Sequence, residues 1–171
     1  AGNVVQATMR TYREAMKGLL PTPSKSHYTF NLRDFSRVVQ GVLLQEPSDQ
    51  FQNKPSVMRL WTHEALRVFG DRLTDDTDRQ WMCDHCSAMC KEVFKCDFQS
   101  EFDHIRPADE TETGYGTLRR LFWGDYMTPA DEDERPYAEV PDLQQLQERT
   151  EEALSDFNSA SKKPMELVMF M

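Results

Sequence analysis

The stretch HYTFNLRDFSRVVQ, His27 to Gln40, decides how this chain is read. Asn31 is a turn-forming polar residue placed directly before an amphipathic run, and it can accept hydrogen bonds from the free N–H groups of a first helical turn. Leu32, Phe35, Val38, Val39, Val42 and Leu43 then recur at helical spacing, which predicts a helix from about Leu32 to Leu44 with Arg33, Asp34, Ser36 and Arg37 off its apolar face. Arg33 falls on the first turn, where the helix dipole favours an anion. A guanidinium fork beside unpaired backbone donors suits a phosphate. The competing reading is a capped surface helix whose arginine faces water. Arg37 lies one turn on, either assisting Arg33 or pairing with Asp34.

Working outward, the neighbouring segments are also helical. Val5, Met9, Tyr12, Met16 and Leu19 give Asn3 to Leu20 an apolar stripe, ended by Gly18 and the Pro21-Thr22-Pro23 cluster. Gln45 to Lys54 has no periodicity and reads as a loop. Pro55 suits the first turn of a third helix, with Met58, Trp61, Ala65, Leu66, Phe69 and Leu73 as its buried stripe. Asp75 or Asp76 can cap a fourth, carrying Trp81, Met82, His85, Met89, Val93 and Phe94.

Beyond Asp97 the pattern breaks down. GYGTLRRLFWGDYM holds a short apolar run between glycines, which predicts a strand or hairpin. Asp125, Asp131, Glu132, Asp133, Glu134, Glu139 and Asp142 make an acidic stretch that reads as an exposed loop. A last long helix is expected over Asp142 to Asn158, faced by Leu143, Leu146, Thr150, Ala153, Leu154 and Phe157. Ser159 to Lys163 reads as a polar turn, with Pro164 opening another helix. The expectation is all-α: a small antiparallel helical bundle over residues 1–171, with N-terminal helices in 1–96, a loop-rich insertion in 97–141 and a C-terminal helix and linker in 142–171.

Composition narrows the function classes. The 171 residues allow one domain, and 10 Phe, 5 Tyr and 3 Trp can furnish its core. A net charge of −9 argues against a nucleic-acid surface and against docking on anionic lipid. No run is long enough to cross a bilayer. The first residues lack a signal pattern, there is no initiator methionine, and the last residues are the apolar LVMFM. The chain is therefore expected to be part of a longer polypeptide.

Two further motifs carry alternatives. Cys83, Cys86, Cys90 and Cys96, with His85 and His104 nearby, offer enough thiolate and imidazole for a zinc domain. Residues 83, 86 and 90 recur at helical intervals, however, which favours packing along one helix face with reduced thiols. HEALR at His63 to Arg67 has an arginine where a zinc-hydrolase helix needs its second histidine, so His63, Glu64 and Arg67 are expected to pair across one turn. No G-x-x-x-x-G-K-[ST] phosphate loop occurs among the seven glycines. Alone, this chain is not expected to hydrolyse ATP. A stand-alone acidic interaction module is the remaining alternative.

HYTFNLRDFSRVVQG closely resembles the start of the small helical lid in the third AAA+ module of dynein heavy chains, as does RLWTHEALRVFGDRLTDDTDRQW at Arg59 to Trp81. KKPMELVMFM at Lys162 to Met171 resembles the lead-in to the fourth module, and LLPTPSKSHYTF at Leu19 to Phe30 looks axonemal rather than cytoplasmic. The resemblance implies an AAA+ C-terminal lid subdomain in an ATP-driven microtubule motor whose parent chain carries a coiled coil. It makes Arg33 the nucleotide-sensing arginine known as sensor 2, supported by Asn31 and Arg37. ATP or ADP with magnesium would be held by the intact module, with no cofactor in this segment alone. The implied partners are neighbouring AAA+ modules of the same chain, microtubules, and dynein intermediate and light chains. The implied location is the cytoplasmic cytoskeleton, in the axoneme of a cilium or flagellum.

Overall fold

The computed structural model describes residues 2–46, 53–125, 127–128 and 135–168. Four helices make the body: α1 (Gly2–Gly18), α2 (Leu32–Val42), α3 (Lys54–Ala65) and α4 (Asp76–Met89). Helices α3 and α4 each run on into one π-helical turn, Leu66–Gly70 and Cys90–Phe94. Short elements follow: α5 (Phe98–Glu101), a 3-10 turn at Asp103–Ile105, α6 (Tyr115–Arg119), and an antiparallel pair of β1 (Trp123–Gly124) and β2 (Ala138–Glu139). The last helix is α7 (Leu143–Ala160). The expected helical bundle with a hairpin is what folds. The acidic residues Asp131 to Glu134 and most of the loop expected between α2 and α3 lie outside the described residues.

Helix α3 is the axis of the core. Its expected stripe is buried, and so are Leu60, Thr62, His63 and Glu64 on its other sides, because α1, α2 and the 97–141 excursion surround it. Its start is set by Asn53, whose side chain accepts the Ser56 N–H at 2.8 Å, with Pro55 in the first turn. Asp75 caps α4 in the same way, accepting the Asp78 N–H at 2.9 Å. Trp61 packs on Phe94 with ring centroids 5.4 Å apart. Phe30 stacks on Phe69 at 5.6 Å.

The expected stripe on the first helix is borne out in part: Leu19 is buried and Tyr12 packs on the core, but the rest of the inner face is made by other residues. Val4, Ala7, Thr8, Thr11 and Ala15 are buried, whereas Val5 and Met16 are about half exposed. Small side chains let α1 approach closely. The threonine hydroxyls are satisfied locally: Thr8 donates to the Val4 carbonyl at 2.7 Å and Thr11 to that of Ala7 at 3.0 Å. The oxygen of Thr8 then accepts the Trp61 indole N–H at 3.0 Å.

The excursion after Asp97 is a working part of the core. Phe98, Phe102, Leu118, Leu121, Trp123 and Val140 are all buried. Its pieces are too short to show periodicity: the GYGTLRR half of the expected strand is α6, and only Trp123 and Gly124 pair with β2. Of the expected stripe on α7, only Leu146 is buried, and Phe157 is exposed. Pro164 opens no helix over 164–168. Instead the Asn158 side chain clamps the turn, donating to the Met165 carbonyl at 2.8 Å and accepting its N–H at 2.9 Å.

Candidate functional site

The start of α2 is built by two residues three apart. Asn31 is extended (φ −146°, ψ 178°), and its side-chain oxygen accepts the Arg33 N–H at 2.8 Å. The Asp34 carboxylate reaches back to accept the Asn31 N–H at 2.8 Å, closing a capping box. The Asp34 N–H bonds the Asn31 carbonyl at 3.0 Å. Of the donors that the sequence suggested were free for a phosphate, the Arg33 and Asp34 N–H groups are thus already used by Asn31.

Arg33 is exposed, and among the described residues its guanidinium makes no ion pair or hydrogen bond. The reason lies in Asp34. That carboxylate was expected off the apolar face, yet it is buried, its other oxygen accepting from Arg72 Nη2 at 2.9 Å. Arg72 in turn lies 5.0 Å from the Phe30 ring centre. With one oxygen on the cap and the other on Arg72, Asp34 does not neutralise Arg33. Arg37 stands 3.8 Å from the same carboxylate and is mostly exposed, so it has the Asp34 partner that sequence spacing allowed. Asp34 and Arg72 were not singled out by sequence reasoning. The Asn-x-x-Asp spacing was the available signal for the first; Arg72 carried none.

The other candidate sites resolve differently. Cys83, Cys86 and Cys90 pack inside, on the inner face of α4 and its π turn. Burial pushes the Cys83 thiol up to about 11 and the Cys90 thiol to about 12, so the thiolates that bind metal are disfavoured. His85 is stacked on Trp81 at 5.3 Å and bonded to Thr11 at 3.0 Å, and His104 is bonded to Glu139 at 2.8 Å. Among the described residues no group of three or more potential metal ligands converges.

The expected pairing within HEALR is corrected. His63 Nδ1 meets the Leu121 carbonyl at 2.9 Å, Glu64 accepts from the Tyr137 hydroxyl at 2.6 Å, and Arg67 pairs with Asp71 at 3.2 Å. His63 and Glu64 reach across to the 97–141 excursion because it packs on α3, while Arg67 pairs within its own turn. Burial lowers the His63 pKa from 6.5 to about 4 and raises that of Glu64.

The described residues thus form a helical bundle in which a capped helix presents an exposed arginine. Residues 1–79 match the family model of the dynein heavy chain ATPase lid domain. Over 168 residues, 98% of the chain, it is 45% identical to dynein axonemal heavy chain 12 of Mus musculus and of Homo sapiens. It is 46% identical over 167 residues to human dynein axonemal heavy chain 3. The chain spans about 5% of the length of the first two relatives and 4% of the third. The chain belongs to the dynein heavy-chain family, and its first half is an ATPase lid domain.

Proposed function

We propose that this chain is the lid of the third AAA+ module of an axonemal-type dynein heavy chain and that Arg33 is its nucleotide-sensing residue. The observation that carries this is the Arg33 guanidinium, exposed at a capped helix start while Asp34 beside it is occupied by Arg72. A fixed positive charge so placed stabilises a terminal phosphate presented by a neighbouring nucleotide-binding domain and couples its loss to rotation of the lid. The nucleotide is ATP or ADP with magnesium, held by that domain. The lid then passes the nucleotide state to the fourth module. In this reading the parent protein is a microtubule motor ATPase of the axoneme, in cilia or flagella, whose other partners are its intermediate and light chains. The axonemal names of the relatives and the identity along almost the whole chain support it. So does the exposed apolar surface at Leu32, Leu43 and Leu44 on and just after α2, which suits contact with adjoining modules.

The test is Arg33→Ala and Arg33→Lys in a complete heavy-chain motor ring, read by nucleotide affinity at the third site, ATP turnover and microtubule release. Loss of a charge-assisted bidentate contact predicts affinity about 10- to 100-fold weaker for Arg33→Ala. Partial recovery is expected for Arg33→Lys, because lysine lacks the planar fork. Unchanged affinity, turnover and release in Arg33→Ala would remove the assignment.

A further inference from the structure

A second collection of cationic side chains lies away from the start of α2. Arg67, Arg79 and Arg119 line a cleft of about 530 Å³ together with Asp71, Tyr115 and Phe122. The cleft is formed by the π turn after α3, the first turn of α4, and α6. We propose that it binds a small oligoanion of the phosphate class, pyrophosphate-sized or larger. This site is distinct from Arg33 and does not rest on the sensor reading.

Several independent features support the proposal. Arg67 keeps only part of its hydrogen-bonding capacity in use: Nη2 pairs with Asp71 at 3.2 Å, while its buried Nε has no partner among the described residues. A buried donor without an acceptor is costly, so the Arg67 guanidinium is not fully satisfied by Asp71. The Arg67 guanidinium carbon lies 6.0 Å from the Phe122 ring centre, so the fork is supported from one side. Arg119 is exposed and makes no ion pair or hydrogen bond among the described residues. Arg79 is paired at 2.8 Å with Asp76, whose side chain is 98% exposed; such a pair exchanges readily.

These groups also converge. The Tyr115 hydroxyl feels the charges of Arg67, Arg79, Arg119 and Asp71 together, and its one bond, to the Gly70 carbonyl, is long at 3.4 Å. Asp71 and Asp76 are the opposing charges in the lining. The Asp71 side chain is 45% exposed, and desolvation raises its pKa. Three guanidinium groups against two carboxylates leave the cleft with a local cationic excess, in a chain of net charge −9. The volume exceeds that of a single phosphate and falls within the range of small-ligand sites.

Calorimetric titration of the chain with inorganic pyrophosphate, without magnesium, tests the site. Saturable binding at one site per chain is expected, weakened about tenfold or more by Arg119→Glu. Asp71→Asn should tighten it several-fold. Arg13→Glu, a charge reversal at an exposed position of α1, and Arg33→Ala should leave it unchanged. A parallel titration with ADP separates the sources of the phosphate. If ADP binds more tightly and the affinity is lost with Arg119→Glu, the ligand is a nucleotide resting on the aromatic walls; equal affinity assigns the free oligoanion. Three results would overturn the proposal: no saturable binding, equal losses in Arg119→Glu and Arg13→Glu, or loss in Arg33→Ala with none in Arg119→Glu.

Discussion

Gly41→Ala is the sharpest probe of how α2 lies against α3. A Cβ built on Gly41 would stand 1.9 Å from Glu64 Oε2, 2.2 Å from its Cδ and 2.9 Å from its Cγ. Glu64 is 8% exposed and accepts the Tyr137 hydroxyl at 2.6 Å, so the carboxylate cannot withdraw without giving up that bond. Breaking a hydrogen bond to a charged group costs about 1.5–3 kcal/mol, and forcing the helices to repack adds about 1–3. Alanine returns up to about 1 kcal/mol of helix propensity. The net loss is about 2–4 kcal/mol, which lowers the melting temperature of a chain this size by roughly 5–15 °C. Urea denaturation of Gly41→Ala, Glu64→Ala and the double variant measures it. With Glu64 truncated, the added methyl has room, and Gly41→Ala should become neutral or slightly stabilising. If it costs the same in both backgrounds, within about 0.5 kcal/mol, the contact with Glu64 is not why this position is glycine.

Thr8→Val keeps the shape of the α1 face but leaves the buried Trp61 N–H without its acceptor; a loss of about 1–3 kcal/mol is expected in the same denaturation assay. His63 gives a pH signature. Its folded pKa of about 4 lies below the ordinary 6.5, so the unfolded chain binds more protons between these values. The stability is present above pH 6.5 and is lost as pH falls to 4, by about 3 kcal/mol. Glu64 acts in the opposite sense: its raised pKa favours the fold at low pH, and that contribution is lost as pH rises. Comparing His63→Gln with the parent chain across this window isolates the histidine, and the variant should show the flatter profile.

Much of the body was legible because its signals are local. Asn31 and Asp75 are caps with polar side chains at helix starts, and Met58, Trp61 and Phe69 declare the inner face of α3 by size and spacing. The stripe expected on the first helix is kept only at Tyr12 and Leu19, for a physical reason. Its buried contacts are made by Ala7, Thr8, Thr11 and Ala15, small residues whose value is close approach, while Val5 and Met16 draw the eye to the outer side. At the candidate site, the cap and Arg33 were visible, but the fate of Asp34 was not. It depends on Arg72, 38 residues away, and no periodicity links the two. The excursion from 97 to 141 was opaque because its elements are two to five residues long and their burial is set by α3 and α4.

The excursion is fastened to α3 in a row. Glu139 of β2 takes the Arg59 guanidinium at 2.9 Å, the Leu121 carbonyl takes His63, and the Tyr137 hydroxyl donates to Glu64. Arg59 also holds Glu101 at 3.3 Å. Helix α7 leaves the body only four residues after Glu139, at Leu143. Tension on α7 would therefore not stretch a slack tether. It would arrive at α3 as a sideways pull shared among these fastenings, and through Glu64 and Gly41 it would bear on the same helix that carries Arg33 at its tip.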